Sequence, residues 1–135
     1  MADIRTVTPD FAVAPQLLPE EVAFAAAQGF TLLINNRPDG EVEGQPTSAQ
    51  MHAAAQAAGL DYSHIPVVGG PTHDQTQEVF DLVEKAQGPV LAFCRSGTRS
   101  IVTWSKGQYE HNHRSRDELI ALGAAAGYDL GPVLA

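Results

Sequence analysis

The chain predicts an α/β fold, a three-layer sandwich with a central, mostly parallel sheet and helices on both faces. Three observations carry that prediction. Short apolar runs with continuous rather than alternating hydrophobicity recur along the sequence, as strands buried on both faces require. Helical stretches with capping signals separate them and are long enough to cross back to the same sheet. The only cysteine, Cys94, directly follows one of the apolar runs. In such sheets ligands bind at the carboxyl ends of the strands, which is where that thiol falls.

Phe11-Ala12-Val13-Ala14 reads as a short strand. Pro19 to Ala27 reads as a helix with proline and acids in its first turn, stopped by Gly29. Phe30 to Ile34 is a buried strand, and Asn35 to Gly40 is dense in turn residues. Thr47-Ser48-Ala49-Gln50 has the form of a capping box opening an alanine-rich helix that Gly59 closes. Leu60 to Val68 is extended and mixed, with Pro66 near its end. Asp74 or Thr76 is expected to cap a helix through Ala86, with Val79, Leu82 and Val83 as its apolar stripe. Pro89 to Phe93 is the central strand, and Gly97 to Glu110 reads as a helix carrying Ile101, Val102, Trp104 and Tyr109. Ser115-Arg116-Asp117-Glu118 forms a second capping box, followed by Leu119 to Ala126. With no repeat, low-complexity tract or linker, residues 1–135 are expected to form a single domain.

A chain of 135 residues, 44% of them hydrophobic, can bury a full core, roughly two-thirds of its unfolded surface. The net charge of −8 argues against nucleic acid and against strongly charged polyanions. The most basic stretch, His111 to Arg116, is diluted at once by Asp117 and Glu118. A single cysteine cannot form an internal disulfide and suits a reducing compartment. Met1 to Arg5 lacks the pattern of a secretory signal, and no apolar run approaches the ~20 residues of a membrane span. The cytoplasm is therefore the expected location, with no membrane partner.

The chemistry is concentrated in Cys94-Arg95-Ser96-Gly97-Thr98-Arg99-Ser100. A strand delivers the sulfur, a tight loop turns backbone N–H groups inward, and the following helix points its positive end at the same spot. A thiolate is the charge such a nest stabilises. The competing explanation, a small buried core residue, does not account for two arginines and three hydroxyls in the next six positions. Arg99 is the candidate guanidinium for an anionic substrate, unless one of the many acids takes it in a salt bridge. Arg95, Ser96, Gly97, Thr98 and Ser100 are candidate anion-binding positions. Arg95 could equally point outward, and Ser100 could donate to the thiolate or serve the first helical turn. Asp74 is a candidate general acid or a plain helix cap. His73 shares its loop. Arg37 and Asp39 lie on the same sheet edge as Cys94, where they shape the pocket mouth or pair with each other. His111 and His113, two apart and without further ligands at a useful spacing, do not suggest a metal site, and no cofactor is expected.

Two families share the strand–Cys–loop–Arg–helix arrangement. From Leu32-Leu33-Ile34-Asn35-Asn36-Arg37, with Asp39 and Glu41 following, through Tyr62 to Val67 and on to Pro89 to Cys94, the order resembles tyrosine phosphatases of the dual-specificity type. Those enzymes place five residues between cysteine and arginine and usually a histidine before the cysteine. Here four intervene and Phe93 takes the histidine's place. The loop itself is similar to that of single-domain rhodaneses, and Ser63-His64-Ile65-Pro66 resembles their upstream motif. The combination resembles the small bacterial family of beta-lactamase-hydrolase-like, phosphatase-like proteins, also described as a sulfur transferase family. The resemblance implies a tyrosine-phosphatase-like fold and a persulfide dioxygenase-type protein as a partner.

The shortened loop makes a tighter ring, better matched to one terminal sulfur than to the three equatorial oxygens of a phosphoryl group. A leaving thiolate or sulfite also needs no strong general acid. Sulfur transfer through Cys94, from a small anionic donor to a thiol acceptor, is therefore the first expectation. A phosphatase acting on a phosphorylated substrate, with Asp74 as acid, is the alternative. A non-catalytic anion- or phosphoprotein-binding module is the third.

Overall fold

The computed structural model describes residues 2–134 and contains the expected layered α/β architecture. Strands β1 (Arg5–Thr8), β2 (Phe11–Ala14), β3 (Leu32–Asn35), β4 (Asp61–His64) and β5 (Val90–Phe93) form one sheet in the order β1-β2-β5-β3-β4. β2, β5, β3 and β4 run parallel, and β1 pairs antiparallel with β2. The central strand β5 is thus flanked by β2 and β3, with Phe93 level with both Ala14 and Asn35.

Side chains alternate across this sheet and divide the core in two. Val13, Ile34, Val90 and Ala92 face one layer. It contains helices α3 (His73–Lys85), α4 (Thr98–Glu110) and α5 (Arg116–Ala125). Leu33, Leu91 and Phe93 face the other, made by α1 (Val22–Ala27) and α2 (Ser48–Ala58), where Val22, Met51 and Ala55 are buried. Trp104 of α4 is a core residue, as its helical position predicts, and its indole stacks on Phe11 at 5.0 Å and 7°. Such a pair adds about 1 kcal/mol beyond the area it buries.

Both capping boxes read from the sequence are present. Thr47 and Ser115 each accept from the backbone three residues on, and Gln50 and Glu118 return the bond. A third box opens α3, and it corrects the expected cap. Thr72 accepts from the Gln75 N–H, and Gln75 Oε1 accepts from the Thr72 N–H. Asp74 and Thr76 therefore lie inside the helix, Asp74 in its first turn. The physical reason is that the Thr72 and Gln75 side chains satisfy orphan N–H groups reciprocally, and the helix therefore begins ahead of Asp74.

Other boundaries moved. The stretch before α1 is a 3-10 turn over Pro19–Glu21. β4 ends at His64, because Pro66 cannot donate to a ladder and the chain turns toward the site. β1 had no counterpart in the sequence reading. It is a four-residue edge strand, with Arg5 and Thr6 on the outside and Val7 and Thr8 buried, and its pairing with β2 is the tertiary fact that defines it.

Candidate active site

The site forms where β5 ends. Continuing the alternation of Ala92 and Phe93 puts Cys94 on the α4 side of the sheet, and its side chain is fully buried. The chain then reverses through a loop whose turning residue is Gly97, at φ 90° and ψ −14°. That left-handed geometry favours glycine. It directs the Gly97 N–H onto Cys94 Sγ at 3.1 Å. On the outside of the loop, the Arg95 carbonyl accepts the Gln16 N–H at 3.2 Å, which turns the neighbouring peptide inward. Helix α4 starts at Thr98, so its N-terminal N–H groups and dipole face the same sulfur. Arg95, Ser96 and Thr98 are exposed at the rim, with Ser96 Oγ donating to Thr98 Oγ1. Ser100 is buried, and its hydroxyl has no hydrogen-bond partner among the described residues.

Arg99 is held by a carboxylate that the sequence reading did not rank. Its Nη1 donates to Glu41 Oε2 at 2.7 Å and to the Val67 carbonyl at 2.9 Å, and its Nη2 donates to Glu41 Oε1 at 2.8 Å. Those three bonds leave the Nε–H and one Nη2–H, the side fork of the guanidinium, to meet an anion. Glu41, then the nearby Cys94 sulfur, raise the pKa of Arg99 against the effect of burial, so the group stays charged. In return Arg99, followed by Arg37, holds the Glu41 carboxyl at about 2 despite its desolvation. Glu41 is therefore an ionised clamp and not a proton donor.

Arg37, buried to 3% exposure, completes the clamp. Its Nε donates to Glu41 Oε1 at 2.8 Å and its Nη1 to Gln16 Oε1 at 3.1 Å. Of the two alternatives for Arg37 and Asp39, the pairing with each other does not form. Asp39 Oδ1 instead accepts the Ser48 N–H at the start of α2. The i,i+4 spacing of Arg37 and Glu41 was the available signal, but it lies in a turn-rich loop where helical spacing has no fixed meaning.

Asp74 is not brought to the thiol. The first turn of α3 is fastened to the last turns of α4: His73 Nδ1 lies 3.0 Å from Glu110 Oε2, and Thr76 Oγ1 donates to Glu110 Oε1 at 2.6 Å. Glu110 is about 18 Å along the helix axis from Thr98, which adjoins the Cys94 loop. Asp74 is exposed there. His73 is accordingly a helix-to-helix contact.

Among the described residues no group of three or more His, Cys, Asp or Glu side chains could hold a metal ion, and no helix is long and apolar enough to cross a membrane. A cleft of ≈ 530 Å³ beside Phe30, Asp61, Tyr62 and Lys85 lies at the opposite, amino-terminal edge of the sheet and includes no residue of the Cys94–Ser100 loop.

A thiol at the tip of the central parallel strand, with an arginine in the first turn of the next helix, defines a phosphatase-like α/β protein of the tyrosine and dual-specificity type. The fold aligns with the structure of a candidate phosphatase from Neisseria meningitidis over 96% of this chain and 92% of that one, with a TM-score of 0.81 and 33% identity. Tk-PTP in its active form covers 93% of this chain at a TM-score of 0.75 and 16% identity, a likeness of fold alone. The chain belongs to the family described as beta-lactamase hydrolase-like protein, phosphatase-like domain, whose profile matches residues 3–111. Beta-lactamase hydrolase-like proteins of Xylella fastidiosa and Agrobacterium fabrum are 36% identical over 121 residues and 37% identical over 119 residues. These matches take in 89% and 87% of this chain but only 28% of each relative, so the chain spans about a quarter of their length.

Proposed function

We propose that this chain is a cysteine-dependent hydrolase of phosphate monoesters that works through a phosphocysteine on Cys94. The supporting observation is a buried thiol capped by the Gly97 N–H, beside an arginine whose Nε–H and second Nη2–H are not taken by Glu41 or Val67, in a phosphatase-like family. The Cys94 thiolate attacks phosphorus in line. The P–O bond to the leaving group breaks, and its electron pair departs with that oxygen. Water then attacks the phosphocysteine, the S–P bond breaks, and inorganic phosphate leaves with the thiolate restored. Loop N–H groups and Arg99 stabilise the charge on the equatorial oxygens. With Asp74 at the far end of α4, the leaving group must be a weak base. Aryl phosphates, whose phenolate departs with little help, suit the site better than alkyl ones.

One observation favours sulfur transfer as a second reading. Four residues, not five, close the ring between Cys94 and Arg99, and the start of α3 that carries Asp74 is fastened to Glu110 in the last turn of α4. In that chemistry Cys94 thiolate attacks the outer sulfur of thiosulfate, the S–S bond breaks, and sulfite leaves with the bonding pair. The outer sulfur of the Cys94 persulfide then passes to an acceptor thiolate. A persulfide dioxygenase-type protein belongs to this reading as a partner.

One assay set separates the two. Aryl phosphate hydrolysis that falls by about a thousandfold or more in Cys94→Ser supports the phosphatase reading. Background hydrolysis alongside thiosulfate-to-cyanide sulfur transfer, with a reductant-labile mass gain of one sulfur atom on Cys94, overturns it in favour of sulfur transfer. Inactivity in both assays with tight binding of an anion overturns both, leaving a binding module.

A further inference from the structure

We propose that Tyr128 is a positioning residue for Cys94, acting through the single peptide unit that joins Ser96 to Gly97. The Tyr128 hydroxyl donates to the Ser96 carbonyl at 2.9 Å. The Gly97 N–H donates to Cys94 Sγ at 3.1 Å. Carbonyl and N–H belong to one rigid trans plane and point in opposite directions, so fixing one aims the other. A donor on the carbonyl also polarises the unit, which strengthens the N–H bond to sulfur.

The loop has a specific need for such an anchor. Gly97 sits at φ 90° with no side chain to resist rotation, and a flipped Ser96–Gly97 peptide would present a carbonyl to the thiolate. The packing is matched to the role, because a Cβ at position 97 would meet the Tyr128 hydroxyl within contact distance. Tyr128 is itself fixed. Its N–H donates to the Gly123 carbonyl at 2.8 Å at the end of α5, and Arg5 lies over its ring at 5.4 Å while donating to the Ala126 carbonyl at 3.2 Å. Burial, opposed by Arg5 and aided by Cys94 and Asp3, raises the phenol's pKa, so it remains a donor through the neutral range. The charged groups around this relay are Arg5 with Asp3 on the outer side and Arg99 with Glu41 on the inner. Tyr128 lies beyond residues 3–111, so the brace comes from chain outside the matched family segment.

The proposal rests on Cys94 being the nucleophile, but its test needs no turnover. The rate of iodoacetamide alkylation of Cys94 is followed against pH in the full chain and in Tyr128→Phe, with Tyr109→Phe, which removes an exposed hydroxyl on α4 outside the relay, as the control. The expected result is a profile displaced upward by about half a pH unit or more in Tyr128→Phe, and about a fivefold slower reaction on its rising limb. At the alkaline plateau the two proteins should agree, and Tyr109→Phe should follow the parent. A folded Tyr128→Phe whose profile coincides with the parent overturns the proposal. The parent protein supplies a second measurement should the variant not fold. Protection of the Gly97 amide from hydrogen exchange supports the relay, and exchange at the solvent rate overturns it. Loss of phosphatase or sulfur-transfer activity would leave both readouts intact.

Discussion

Glu41 fixes the guanidinium of Arg99. It takes Nη1 and one hydrogen of Nη2, and in the proposed reaction the remaining Nε–H and Nη2–H are the donors that would meet an anion. Glu41→Gln is expected to lower kcat/KM and to destabilise the fold by about 2 kcal/mol at neutral pH, since buried Arg37 loses its carboxylate as well. The pH dependence follows from the sign of the shift. The folded carboxyl titrates at about 2 against an ordinary value of 4.5, so its stabilisation is complete above 4.5 and is lost as pH falls through about 2. Urea unfolding of both proteins should show the gap between them closing over that window. A gap independent of pH would refute the assignment. At this scale the sequence displayed Cys94, Gly97 and Arg99 openly, because loop, turn and charge requirements are local. It hid Glu41, whose partner Arg99 is 58 positions away.

At the scale of elements, α4 joins the reactive loop to the α3 side of the molecule, and its contact with α3 is made at a glycine. A Cβ on Gly107 would lie 2.8 Å from the Thr76 carbonyl and 3.3 Å from Phe80 Cβ. Gly107→Ala is therefore expected to destabilise by about 1–3 kcal/mol through overpacking, although alanine is the better helix former by about 1 kcal/mol. Thermal unfolding measures the balance, and an unchanged or raised Tm would show that the helices do not approach this closely. The same contact explains why Asp74 misses the thiol: the start of α3 is pinned to the end of α4. Capping boxes were legible at Thr47 and Ser115 because all their atoms come from four consecutive residues. At α3 the reading passed over Thr72, since Thr72, Asp74 and Thr76 are all good caps in isolation and only the surrounding chain path selects one.

For the whole molecule, one sheet serves two cores, so neither side can unfold without exposing the other face of β5 and β3. A single cooperative transition is expected, with Trp104 fluorescence reporting one side and backbone circular dichroism reporting the whole. Separate midpoints for the two probes would show instead that the α1–α2 layer comes apart independently.

The sequence by itself determined the layered α/β class, the central strand, and the Cys94–Arg99 loop with its four-residue spacing, because periodicity, capping and turn chemistry are properties of neighbours along the chain. Tertiary structure alone decided which acid holds Arg99, that Asp74 lies at the wrong end of α4, and that Tyr128 reaches the Ser96–Gly97 peptide. Each of those depends on where distant segments come together, and the burial and packing that bring them together act on surfaces rather than on sequence neighbours.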